Sequence, residues 1–131
     1  MKSKSKLDLQ KILEAQRKFV KAREWDDFHT PKNLTMALSG EAAELMEIFQ
    51  WLSQEESLTV HKDKDRREMI SDELADIFFY LLRVCDKLDI DIEKAFWSKM
   101  KKNSRKYPVR LARGNAKKYY ELKQKNRAAS Q

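Results

Sequence analysis

Two stretches of the chain share one spacing. Leu34, Leu38, Glu41, Leu45, Ile48 and Leu52 follow at steps of four and three, and so do Ile70, Leu74, Ile77, Leu81, Val84 and Leu88. Such steps keep side chains on one face of an α-helix, whereas a strand alternates every second residue. Two long amphipathic helices are therefore expected, over about residues 31–52 and 66–88. Thr30 before Pro31 supplies an N-cap with proline at the first helical position. A first helix is expected from about Leu7 to Trp25, with Leu9, Ile12, Leu13, Gln16, Phe19 and Val20 on its face. A fourth runs from about Ile92 to Arg105 with Ala95, Phe96 and Met100, and Pro108 ends it. Trp97 is assigned to the core, the polar SQEESLTVHKDKD to a loop, and DID at 89–91 to a short connection with an Asp cap. Two glycines and two prolines in 131 residues are too few for the many turns of a β-sandwich or barrel. The expectation is an all-α four-helix bundle over residues 1–110, with a basic C-terminal tail, 111–131, that is partly helical or mobile.

The net charge of +7 is unevenly spread. From Glu93 onward there are 13 Lys and Arg against 2 acids, and before it 15 against 19. The basic part is either a solvated surface or a surface for anions such as phosphates. The single cysteine, Cys85, lies on an apolar stretch and reads as core packing. No disulfide can form within the chain, which suits a reducing cytoplasm. MKSKSKLDLQ has no apolar stretch of the signal-peptide kind. No run approaches the roughly 18 apolar residues of a membrane span.

The stripes contain an anomaly. Glu41 stands where a leucine belongs, and Glu44 lies at the edge of the same stripe. In the third helix Glu73 lies beside the stripe and Asp76 at its margin. One acidic pair at i, i+3 is ordinary on a solvated face. Two pairs leaning toward two apolar faces would bring four carboxylates together if the helices pack. Like charges that close do not all stay ionised without compensation. A hard divalent cation such as Mg²⁺ takes several carboxylates and leaves positions for water and phosphate. Zinc and iron suit the chain less. It has two histidines, His29 and His61, no H-E-x-x-H, no Cys pair and no Glu-x-x-His. Lys99, Asn103 and Lys106, at steps of four and three, share one face of the fourth helix.

E-A-A-E at 41–44, followed after 28 residues by E-L-A-D at 73–76, resembles the E-x-x-E…E-x-x-D signature of the all-α nucleoside triphosphate pyrophosphatases, the MazG-like and dCTP pyrophosphatase proteins. REWDDFHTPKNL, ALSGEAAELMEIFQW and KMKKNSRKYP add to the likeness, which covers about residues 10–110. The short chain and its Trp/His segment look more like the dCTP pyrophosphatase and integron-type branch than the two-domain MazG proteins. The resemblance implies an enzyme that cleaves a nucleoside triphosphate between the α- and β-phosphates, on dCTP or modified deoxynucleotides, as sanitation of the nucleotide pool. It implies Glu41, Glu44, Glu73 and Asp76 as catalytic Mg²⁺ ligands, with Mn²⁺ as a substitute ion. It implies Lys99, Asn103, Lys106 and Tyr107 on the phosphates, and Trp25, His29, Asn33 and Trp51 around the base. It further implies a homotetramer built as a dimer of dimers, or a tight dimer. Aromatics around much of the third helix, Phe78, Phe79 and Tyr80, also favour partners on more than one side. Two other readings stand beside it. The basic C-terminal third, with Tyr107, Tyr119 and Tyr120, has the composition of a nucleic-acid-binding surface, but that leaves the four acids unexplained. A bundle that binds nucleotide without hydrolysis, as a sensor, is the other. No membrane partner is expected.

Overall fold

The computed structural model describes residues 6–129. The first five residues of the stretch read for a signal peptide, and the last two of the basic tail, lie outside the described residues. The chain forms two compact units, Met1–Ile90 and Asp91–Gln131, so the basic residues after 110 belong to the second unit. No strand occurs among the described residues, which matches the all-α expectation. No helix among them is long and apolar enough to cross a membrane.

In the first unit, α1 (Leu9–Ala22) starts where the Asp8 carboxylate accepts the Lys11 N–H at 3.1 Å. The chain turns at Glu24, which takes a left-handed φ of 53°, into a short 3-10 turn at Asp26–Phe28. α2 (Pro31–Phe49) then begins as expected, with the Thr30 hydroxyl accepting the Asn33 N–H at 3.2 Å and Pro31 in the first turn. Residues 53–65, expected as a loop, instead hold α3 (Gln54–Thr59) and a 3-10 turn at Val60–Lys62. The cause is local. Ser53 Oγ accepts the Glu56 N–H at 3.1 Å, and Glu55 and Glu56 place negative charge at the positive end of the helix. The buried Val60 then pins the segment. α4 (Lys64–Lys87) is capped by Asp63.

α2 and α4 pack along one another, in the most extensive helix–helix contact among the described residues. Leu34 on α2, Leu82 and Cys85 on α4 and Val20 on α1 are buried. Gln16 Nε2 donates to the Phe79 carbonyl at 2.7 Å and ties α1 to α4. The buried face of α4 is rotated from the expected stripe: Leu82 and Cys85 lie inside it, while Leu74 and Leu88 are about half exposed.

The second unit contains α5 (Ile92–Lys106), capped by Asp91, then α6 (Val109–Ala112) and α7 (Tyr119–Ala129). Trp97, assigned to the core from the sequence, is 60% exposed. Its ring meets Phe96 edge-on, and it lines an open recess with the polar Asp91, Glu93, Lys94, Ser98 and Lys101. Apolarity placed it inside, but its helical neighbours are charged.

Candidate metal and nucleotide site

Because α2 lies along α4, Glu41 meets Glu73 and Asp76. One carboxylate oxygen from each lies within 4.8 Å of the other two, a group that can hold a metal ion. Glu41 and Glu73 are half-buried and Asp76 is exposed. Glu41 Oε2 and Glu73 Oε2 are covered from water and have no hydrogen-bond partner. Among the described residues, none of the four acids pairs with a Lys or Arg. The carboxyl of Glu41 is pushed up to about 7, first by burial, then by the Glu73 and Glu44 carboxylates beside it and the charge of Asp76. Burial also raises Glu73; contact with Glu41 pulls it down, and Glu44 and Asp76 push it further up. Glu44 is exposed at the rim, outside the trio, yet its charge reaches both. Covered carboxylate oxygens without donors are costly. An all-oxygen cluster of this kind fits a hard divalent cation, which would satisfy those oxygens and offset the repulsion.

Tyr80, a turn beyond Asp76, belongs to the same neighbourhood: burial and the charges of Glu41 and Asp76 raise its phenol. By sequence alone it stands only among the aromatics of the third helix. From Tyr80 a row of edge-on rings runs through Phe79 and Phe19 to Trp25, at centroid distances of 5.4, 6.0 and 5.7 Å. The row links the carboxylates to the turn flanked by two of the expected base contacts, Trp25 and His29. Trp25 is 42% exposed, and its ring lies 6.2 Å from that of His29. Asn33 donates its amide to the Phe28 carbonyl at 3.0 Å, which leaves Oδ1 as its remaining acceptor. Trp51 is 87% exposed, just past the far end of α2. From Asn33 to Trp51 is a rise of about 27 Å along a helix, so one chain does not bring them together.

Gln16 stands on the expected face of the first helix, where the sequence does not single it out for the site. It is buried, and Oε1 has no partner while Nε2 is held by Phe79. Its signal was the same as that of Glu41, a polar residue on an apolar stripe.

The turn is anchored by ion pairs that no sequence motif announced. Arg83 of α4, 3% exposed, donates from Nε to His29 Nδ1 at 3.1 Å, from Nη2 to Asp26 Oδ1 at 3.1 Å and from Nη1 to Asp86 Oδ2 at 3.3 Å. Asp86 also takes two prongs of Arg17, the shortest 2.6 Å, and Asp26 takes Lys87 at 2.8 Å. Asp26 is held below the usual carboxylate range chiefly by Lys87, and Asp86 by Arg17. His29 is lowered by burial and by the Arg83 charge.

The expected phosphate contacts lie in the second unit. Lys99, Asn103 and Lys106 occupy α5, and Tyr107 follows it, its N–H donating to the Asn103 carbonyl at 2.8 Å. Lys99 is exposed and Asn103 half-buried, while Lys106 Nζ lies 5.4 Å from the centre of the Tyr119 ring.

A model of the MazG-like family matches residues 36–122. The chain is 39% identical over 114 residues to dCTP pyrophosphatase 1 of Rattus norvegicus, covering 87% of this chain and 67% of that protein. It is 38% identical over 114 residues to dCTP pyrophosphatase 1 of Homo sapiens, with the same shares. A crystal structure of a pyrophosphatase from Archaeoglobus fulgidus matches at a TM-score of 0.73 and 39% identity, over 82% of this chain and 99% of that one.

Proposed function

The chain belongs to the MazG-like family, and from that premise we propose that it hydrolyses nucleoside triphosphates to the monophosphate and pyrophosphate, with dCTP or a modified relative as the favoured substrate. The observation that carries this is the carboxylate cluster, with two covered oxygens that lack any donor. Glu41, Glu44, Glu73 and Asp76 would hold Mg²⁺, with Mn²⁺ as a substitute. When bound, the ion neutralises phosphate charge, polarises a phosphoryl oxygen and lowers the pKa of water. The carboxylate that keeps a free oxygen takes the proton of the water attacking the α-phosphorus. Lys99 and Lys106 supply point charges to the phosphates, and Asn103 and Tyr107 supply donors.

The base stacks on Trp25 and Trp51 and meets His29 and Asn33 at its edge. A pocket that uses both tryptophans draws them from two chains, which fits a homodimer or a dimer of dimers. Exposed Trp51, Phe96 and Trp97 support the same assembly. A buried free Cys85 suits the reducing cytoplasm, where such an enzyme clears unwanted nucleotides from the pool.

The test is pyrophosphate release from a panel of ribo- and deoxynucleoside triphosphates, with Mg²⁺ and with EDTA. We expect metal-dependent pyrophosphate release, fastest on dCTP or a modified cytosine nucleotide. Release of orthophosphate would mean that a different bond is cut. Binding without turnover on any member of the panel would favour a sensor.

A further inference from the structure

Arg83 is more than a counter-ion. Each acid it touches already has another cation: Asp86 has Arg17, and Asp26 has Lys87. Charge balance alone would not call for a third cation at 3% exposure, where an arginine is costly to bury. Without Arg83, the group left with no partner is the ring nitrogen of His29.

A guanidinium always carries its protons, so Nε of Arg83 can only donate. His29 Nδ1, 3.1 Å away, must therefore present a lone pair. An imidazole that accepts at Nδ1 is neutral and carries its single proton on Nε2. The groups facing the ring agree with a neutral state: Arg83 and Lys87 from α4 disfavour a second proton, and only Asp26 from the preceding turn favours one. No other hydrogen bond to the ring occurs among the described residues, so Nε2–H is left to donate, on a ring whose centre lies 6.2 Å from that of Trp25.

Building on the nucleotide reading above, we propose that Arg83 is a positioning residue that locks His29 as an Nε2–H donor, so that a base stacked on Trp25 must offer an acceptor, such as a ring nitrogen or carbonyl, on the edge facing His29. The selection is for a chemical class. A base edge with only donors there would face an N–H that cannot change its tautomer.

The test combines a spectrum and a kinetic split on the full chain. With only His29 and His61 present, long-range ¹⁵N–¹H spectra of the imidazoles resolve into two sets, and a His29→Gln variant assigns them. The parent is expected to show His29 neutral and protonated at Nε2 at pH 7, without substrate. In Arg83→Met, where Asp26 and Asp86 keep Lys87 and Arg17, His29 should mix tautomers and titrate nearer to the ordinary value of about 6.5. For dCTP, KM should rise about tenfold and kcat stay within about twofold, the size of one lost hydrogen bond in ground-state binding. Arg83→Lys keeps the charge but not the fixed N–H fork, and should leave KM raised. It also carries the measurement if the Met variant does not fold. A parent His29 with its proton on Nδ1, or on both nitrogens, overturns the positioning. An unchanged KM in a folded variant whose His29 has been released overturns the base-reading role. Absence of any dCTP turnover by the parent removes the functional reading and the base-reading role with it, while the spectrum still decides what Arg83 does to His29.

Discussion

α4 carries two charged clusters about two turns apart, and they are built on opposite rules. At its front, Glu73 and Asp76 join Glu41 of α2, with Glu44 at the rim, a cluster of carboxyl groups alone in which one oxygen each of Glu41 and Glu73 is covered without a partner. Further along, Arg83, Asp86 and Lys87 join Arg17 and Asp26 in strict alternation, and each charge touches its opposite. The second cluster is complete within the chain and locks α1, the 3-10 turn and α4 together. The first stores repulsion that a proton held on Glu41 or a cation from outside relieves. A satisfied network marks where the fold is held, and an unsatisfied one marks where it waits for a partner.

The largest effect that separates them should come from the front cluster. Glu41→Gln or Asp76→Asn is expected to lower pyrophosphate release by about a thousandfold or more, the scale of losing a group that stabilises transition-state charge. Without metal, the same variants should melt no lower than the parent, because a like charge has been removed. A fall in stability of about 2–5 kcal/mol, as core truncations give, would make the cluster structural instead. The second cluster should behave in reverse. Asp86→Asn takes an acceptor from buried Arg83 and should cost about 2 kcal/mol or more in urea unfolding, with metal-bound turnover nearly kept at temperatures well below melting. If Asp86→Asn is as stable as the parent, the network is not the anchor described. A smaller change is expected at Lys99→Ala, with KM for the triphosphate about tenfold higher and a weaker salt dependence of binding. An unchanged KM would remove Lys99 from the phosphate contacts.

The subtlest contrast is in pH. Glu41 holds its proton to about 7 when folded, against 4.5 as its ordinary value. Between those values the folded chain binds more protons than the unfolded one, so this group makes metal-free stability fall as pH rises through the window. His29, lowered from 6.5, acts in the opposite direction as pH falls below that value. The lowered Asp26 and Asp86 lose their contribution only as pH drops below about 3.8. The clean comparison is therefore the parent against Glu41→Gln, melted without metal at pH 5 and pH 8. The parent should lose more stability than the variant between the two. Added Mg²⁺ should raise the parent's melting temperature more at pH 8, since metal displaces protons from its ligands. Equal slopes for the two proteins would show that Glu41 ionises normally.

Much of this architecture was legible in advance, because helices write themselves into sequence at short range. The stripes, Thr30–Pro31 and Asp91 act within a turn or two of themselves. Glu41 was legible for the same reason, as a charge in a leucine's place. α3 was missed because its signal is a cap, Ser53 with Glu56, inside a stretch whose polarity reads as loop. Arg83 was missed because its partners His29 and Asp26 are 54 and 57 residues away, and no local spacing connects them. The rotation of the α4 face, which exposes Leu74 and covers Leu82, depends on where α1 and α2 lie, and that is tertiary information.

The exposure of the tryptophans has an optical consequence. Trp25, Trp51 and Trp97 are 42%, 87% and 60% open to water in the single chain, so none has the dry surroundings that shift indole emission to the blue. An isolated chain should fluoresce far to the red for a folded protein. A subunit closing over Trp51 or Trp97 would move the emission blueward, and a base stacking on Trp25 would dim it. Assembly and occupancy would thus appear as two different colour changes in one label-free titration.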